Sequence, residues 1–308
     1  KGQLKLEYES SKTRNAAETF RDRAGNCLSL VVMTAAFARE LNVPLAYQNV
    51  MVEQTWSRAG DLYFGSNHVN LVLTEGPPDF MRAFQSVRAT LTIDFLRPKE
   101  AERFHTHPLE ERDIVAMYLN NRAAEAMAQE RIDDAYWWAR EAVKENPGFI
   151  AGYNTLAVIY QRHGDAAAAE RVFRAALLRE PENTIIMHNL APVLARMGKT
   201  AEANEIRARL AVIEPTPPFH YFNRGMKAME KGEFEAARDL FAKEVKRAPY
   251  YHEFHFWLAI AHWRLGDGSR AHEELKMALD TSTTGDASSR YSAKLSQLKS
   301  GVPGRKRL

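Results

Sequence analysis

The sequence predicts a small α+β domain followed by an all-α helical array. Three observations predict it. A helix pattern and then alternating strand patterns fill the first hundred residues. Small residues, glycines and prolines afterwards recur with one fixed period, and the single cysteine stands at the head of the first helix pattern. A chain of 308 residues has room for about two domains of ordinary size.

The bulk numbers narrow the classes. With 45% hydrophobic and 26% charged residues the composition is globular. The net charge of +3 is too small to argue for nucleic acid, and no aromatic nucleic-acid platform or glycine-rich phosphate loop appears. The basic ending Gly304-Arg305-Lys306-Arg307 reads as a solvated tail. The longest nearly apolar run, Leu28 to Ala38, is far short of the ~20 residues of a membrane span. One cysteine excludes an internal disulfide, and it suits either a reduced compartment or an exported protein whose single thiol reacts. The start at Lys1 without methionine raises the expectation of a removed upstream signal or lipoprotein peptide. The address stays open: periplasmic or lipid-anchored with such a signal, cytoplasmic without it.

In the first domain, Cys27 to Leu41 carries apolar residues at helical spacing and is introduced by Ala24-Gly25-Asn26. Leu45 to Val52 reads as a strand, and Asn67 to Thr74 alternates as a second. Thr90 to Leu96 gives a third strand, with Asp94 late in it. Turns are expected at Ser57–Gly60 and Gly76–Asp79. One helix and three or four mainly antiparallel strands make an α+β unit over 1–108.

The array follows over 113–283, with 284–308 as a capping helix and basic tail. Prolines at 147, 181, 215 and 249 step by 34 residues, and so do glycines at 164, 198, 232 and 266. Small residues repeat at Ala135, Ala169, Ala203, Ala237 and Ala271, and again at Ala123, Ala157, Ala191, Gly225 and Ala259. Small residues let the two antiparallel helices of a unit approach closely, and a glycine ends the first helix. Five units follow: 116–149, 150–183, 184–217, 218–251 and 252–283. The first has Glu130 where the glycine would stand, and the third carries Pro192 inside its first helix, which should kink it.

On this period, and on large positions such as Tyr153, Leu156, Tyr160 and Phe173, the array resembles the tetratricopeptide repeat. The resemblance implies a protein or peptide partner held on the face of the first helices. The sixth position of each repeat, where the family often places an asparagine against ligand backbone, reads Asn121, Thr155, Asn189, Asn223 and Trp257. The thirteenth reads Ala128, Arg162, Arg196, Glu230 and Arg264. Asn121, Asn189 and Asn223 with Arg162, Arg196 and Arg264 suggest a groove for an extended or acidic chain. The bland alternative is solvated helix positions, and a further one is a groove holding part of the first domain.

The first domain resembles the transglutaminase-like core of the papain-type enzymes over about 15–98. The residues carrying this are Arg23-Ala-Gly-Asn-Cys27-Leu-Ser-Leu, Ala38-Arg-Glu-Leu41-Asn-Val-Pro-Leu-Ala46, Asn67-His68-Val-Asn-Leu-Val and Leu91-Thr-Ile-Asp94-Phe. The resemblance implies Cys27 as nucleophile, His68 as base and Asp94 as its orienting carboxylate, acting by acyl transfer on an amide. Water as acceptor makes a peptidase or amidase, and the resemblance tilts that way; an amine makes a transglutaminase. The family often has tryptophan two residues after the histidine, where Asn70 stands here.

The chemistry explains the grouping. A helix N-terminus favours thiolate, an imidazole takes the thiol proton, and a carboxylate fixes the imidazole. The Cys27 N–H should serve the oxyanion, with Gln48 or Asn26 as a second donor. Each of the three residues alone is ordinarily structural, and only their joint order argues otherwise. Asn67 and Asn70 are left as strand-edge residues. His252, His255 and His262 could share a helix face, but their spacing and aromatic neighbours read as packing rather than zinc binding. His105 and His107 read as linker. No cofactor is expected. The alternative to an enzyme is a non-enzymatic repeat scaffold with an inactive first domain.

Overall fold

A computed structural model describes residues 5–9, 12–59, 62–74, 90–95, 105–282 and 285–299. The expected turn at Gly76–Asp79 and the basic tail lie outside the described residues, and Ser57 to Ala59 continue a strand.

The α+β region begins with β1 (Glu7–Tyr8), α1 (Ala16–Asp22), β2 (Ala24–Gly25) and α2 (Cys27–Glu40). β1 and β2 pair in parallel. Asn15 caps α1 through a reciprocal capping box with Glu18. Four strands follow: β3 (Leu45–Ala59), β4 (Leu62–Thr74), β5 (Thr90–Ile93) and β6 (His105–Leu109). They form one antiparallel sheet in the order β5-β4-β3-β6. The strands β3 and β4 run longer than the alternation indicates, joined as a long hairpin with an irregular register between Val50 and Thr55. His105 and His107 are not linker but part of β6, which pairs with β3. The core here joins Leu28, Val31 and Ala35 of α2 to Tyr47, Val69 and Leu71 of the sheet.

The helices then come in pairs. They are α3 (Glu111–Ala128) with α4 (Ile132–Glu145), α5 (Ile150–His163) with α6 (Ala166–Arg179), and α7 (Thr184–Arg196) with α8 (Thr200–Ile213). After them come α9 (His220–Lys231) with α10 (Phe234–Arg247), α11 (His252–Arg264) with α12 (Gly268–Asp280), and the closing α13 (Gly285–Lys299). Both small-residue registers are buried: Ala135, Ala169, Ala203, Ala237 and Ala271 are each 0% exposed. A side chain would not fit at Gly225, where a Cβ would stand 2.5 Å from the Phe241 ring. Gly164, Gly198, Gly232 and Gly266 all have φ between 77° and 92°. Glu130, in the equivalent place, adopts the same left-handed backbone with φ 60°. The helix α7 runs on through Pro192. The fully buried Tyr291 of α13 closes the last core, receiving or giving a 2.7 Å hydrogen bond with His252 Nδ1.

Compactness divides the chain at another place than architecture does. One unit is Lys1–Pro215 and the other Thr216–Leu308. Within the first, β4 lies against α5 and α7, and Ile114, Met117 and Tyr118 of α3 join the core of α2 and the sheet. The α+β region and the first three repeats therefore share their burial. No helix among the described residues is long and apolar enough to cross a membrane.

Candidate thiol site

Cys27 is the first residue of α2 because Asn26 caps that helix. Asn26 Oδ1 accepts from the Ser29 N–H at 2.9 Å and from Ser29 Oγ at 2.8 Å, and its Nδ2 donates to Thr13 Oγ1 at 2.8 Å. The segment before α1 fixes this cap on two sides. The Arg14 N–H donates to Ser29 Oγ at 2.8 Å, and the Thr13 N–H donates to Glu125 Oε1 of α3 at 2.5 Å. The head of α2 is thus tied to the first helix of the repeats.

His68 comes from β4, opposite Val50 of β3, and is buried. Its Nε2 lies 2.6 Å from Asp94 Oδ1. The ring is also close enough to the Cys27 sulfur for that group to shift its titration. Burial pushes the imidazole toward its neutral form, but the hydrogen bonds and charges of Asp94 and Cys27 outweigh it and raise the pKa to about 9. The expected cysteine, histidine and aspartate are therefore brought together. Asp94 sits one residue beyond the end of β5 rather than inside a strand.

The carboxylate has a second partner that sequence reasoning set aside. Asn70 Nδ2 donates to Asp94 Oδ2 at 3.1 Å, so Asn70 holds one oxygen while His68 takes the other. The signal was present, since residues two apart on a strand share a face, but an asparagine there has several uses. Gln48 is buried opposite Asn70 in the hairpin register. Asn26 lines the same cleft as Cys27, but its amide oxygen is spent on the helix cap.

Cys27 opens into a cleft of about 310 Å³. One wall is the α+β region, with Tyr8, Asn26 and Val69; the other is Met117, Asn120 and Asn121 of α3, with Phe149 and Ala151 beyond. Buried in this wall, the Asn120 side-chain oxygen has no hydrogen-bond partner among the described residues. Tyr8 also lines the cleft, a residue that no motif or periodicity singles out. Burial, first, and the neighbouring Cys27 sulfur push its phenol up to about 12.

The expected groove residues sit in different local surroundings. Asn121 faces the thiol cleft. Asn189 is 1% exposed and its Nδ2 donates to Asn154 Oδ1 at 2.8 Å, which braces α5 against α7. Asn223, Arg162 and Arg196 are exposed, whereas the exposed Arg264 lies 4.2 Å over the Phe234 ring. The histidines of α11 are used in packing. His255 bridges Glu274 and the Pro249 carbonyl, at 2.6 and 2.9 Å.

A tetratricopeptide-repeat family model matches residues 154–211 and 222–287. The array after the α+β region is a tetratricopeptide-repeat solenoid. The chain is similar to the heat shock protein sti1 homolog of Schizosaccharomyces pombe, 24% identical over 139 residues, covering 43% of this chain and 22% of that one. It is also similar to the protein STIP1 homolog of Dictyostelium discoideum, 25% identical over 144 residues, covering 47% and 25%. The chain thus spans about a quarter of the length of these curated relatives. Among solved structures it is similar to YrrB, a TPR protein with an unusual peptide-binding site, at 17% identity and TM-score 0.32, covering 58% of this chain and 92% of that one. It is also similar to the APC/C hetero-tetramer Cut9-Hcn1, at 15% identity and TM-score 0.36, covering 60% and 36%.

Proposed function

We propose that this protein binds a protein or peptide through its repeats and acts on an amide carbonyl at Cys27 by thiol acyl transfer. The resemblance of the first domain to the transglutaminase-like core belongs to the same proposal. One observation carries it: the His68 imidazole of a strand lies 2.6 Å from the Asp94 carboxylate at a strand end and close enough to Cys27 at a helix head for the sulfur to shift its titration. In the reaction Sγ attacks the carbonyl carbon and the thiol proton passes to His68. The same proton then leaves with the departing amine, and a thioester remains until water or an amine resolves it. The cleft beside Cys27 is walled by the first repeat helix, which suits a chain held by the repeats while one of its amides is presented to sulfur.

Incubating the full chain with unfolded casein and a fluorescent primary amine tests this. Labelled casein reports transfer and new peptide ends report hydrolysis, and Cys27→Ala should abolish either. His68→Ala should lower the rate by about 10²–10⁴. Product formed equally by the Cys27→Ala variant would contradict the proposal.

A second reading has its own support. The family match lies wholly within the repeats, and β4 already occupies the faces of α5 and α7. On this reading the chain is a non-enzymatic scaffold that binds partners through α9 and α11, with the α+β region as a docking element. A Cys27→Ala protein that still captures the wild-type set of partners, with no casein product from either protein, favours it.

A further inference from the structure

Two side chains share the carboxylate of Asp94, and the sheet register brings them to it. In the pairing of β4 with β5, Leu71 faces Ile93. Carrying that antiparallel register one residue past β5 sets Asp94 across from Asn70, with His68 two residues away on the same face of β4. His68 Nε2 lies 2.6 Å from Oδ1, and Asn70 Nδ2 donates to Oδ2 at 3.1 Å. The imidazole and the amide are both buried, whereas the Asp94 side chain, at its strand end, is 32% exposed. Water therefore competes for this carboxylate. Asparagine is also a costly residue for that place. The Asn70 Oδ1 is buried with no hydrogen-bond partner among the described residues. The amide cannot be turned to satisfy it, because a carboxylate only accepts and Nδ2 must face Asp94. A buried acceptor left unpaired lowers stability, a loss that an apolar residue avoids, as Val72 does two residues along the same face.

We propose that Asn70 is a positioning residue of the thiol centre, whose amide pins the Asp94 carboxylate against His68 so that the imidazole can hold the thiol proton. The inference rests on the acyl-transfer reading and goes one residue beyond it. When Sγ gives its proton to His68, positive charge develops on the ring, and Asp94 stabilises that charge only while Oδ1 faces Nε2. The bond from Asn70 to Oδ2 is of the charge-assisted kind, stronger than a neutral one, and it holds the carboxylate both turned and ionised. The amide itself gives up no proton and touches no substrate.

Asn70→Leu puts apolar atoms in place of the amide and removes the donor. In the full chain the His68 ring protons, followed by NMR, should titrate about one pH unit or more below wild type, where the value is about 9. Alkylation of Cys27 by iodoacetamide near pH 6, in which sulfur displaces iodide, should slow by about three- to tenfold, to a rate between those of wild type and His68→Ala. A residue that only filled space would leave the His68 titration where it stands. Asn70→Ala, which cannot overpack the site, should move both readings the same way and decides the matter where leucine disturbs the fold. A His68 titration or an alkylation rate unchanged from wild type in either folded variant overturns the assignment. If wild type and His68→Ala are alkylated alike, the thiol reading itself fails, and the role of Asn70 fails with it.

Discussion

His68 is the residue where two opposing forces can be weighed. Burial alone lowers an imidazole pKa, yet this one rises to about 9 because Asp94 and the thiol both favour its charged form. Since the folded pKa lies above the unfolded value near 6.5, folding binds the proton more tightly. The stability this contributes is present in full below about pH 6.5 and is lost as pH rises through about 9. Chemical denaturation across that window should show a falling stability that flattens in His68→Ala. Replacing the carboxylate tests the cause: in Asp94→Asn the His68 ring protons, followed by NMR, should titrate well below 9, toward the ordinary 6.5. A ring that still titrates near 9 would assign the shift to something other than Asp94. The three residue types were legible in the sequence because a thiol, an imidazole and a carboxylate at a helix head and two strands have few joint uses. Asn70 and Tyr8 were not. Asn70 depends on where Asp94 falls past the strand, and Tyr8 depends on a parallel pairing of two-residue strands that no periodicity records.

Among the elements, the repeat helices were read with the least loss, because every unit buries small residues at the same two positions. The sheet was read less well. The segment His-Thr-His-Pro-Leu that forms β6 has no alternation of its own and is a strand because β3 offers it partners. Two changes weigh the helix-pair logic. Gly225→Ala sets a methyl 2.5 Å from the Phe241 ring, so it should cost about 1–3 kcal/mol by denaturant melt. Glu130→Gly places the permissive residue at φ 60°, where its four counterparts are glycine, and should raise stability by up to about 1 kcal/mol. A destabilised Glu130→Gly protein would mean that the Glu130 side chain does more than accept a poor backbone.

Across the whole molecule, composition gave no hint that the α+β region would be buried with three of the repeats. That follows from β4 lying on α5 and α7, a long-range contact between surfaces whose apolar residues each look complete in sequence. Asn189, which the repeat register places toward a ligand, is buried and donates to Asn154 Oδ1. Because Thr216–Leu308 is a compact unit with its own core, the cost of Gly225→Ala should appear there. Amide exchange should quicken over α9 to α12 while the amides of α2 and α3 keep their protection. Equal loss in both regions would mean that the two units open together.

The central claim is that the sulfur of Cys27 is activated by the imidazole and carboxylate beside it. The most direct measurement is the rate of Cys27 alkylation by iodoacetamide in the full chain, followed by intact mass from about pH 5 to about pH 9. We predict that wild type is alkylated faster than His68→Ala near pH 6, because the imidazole takes the thiol proton. An alkylation rate across this range that is the same in His68→Ala as in wild type would contradict the account.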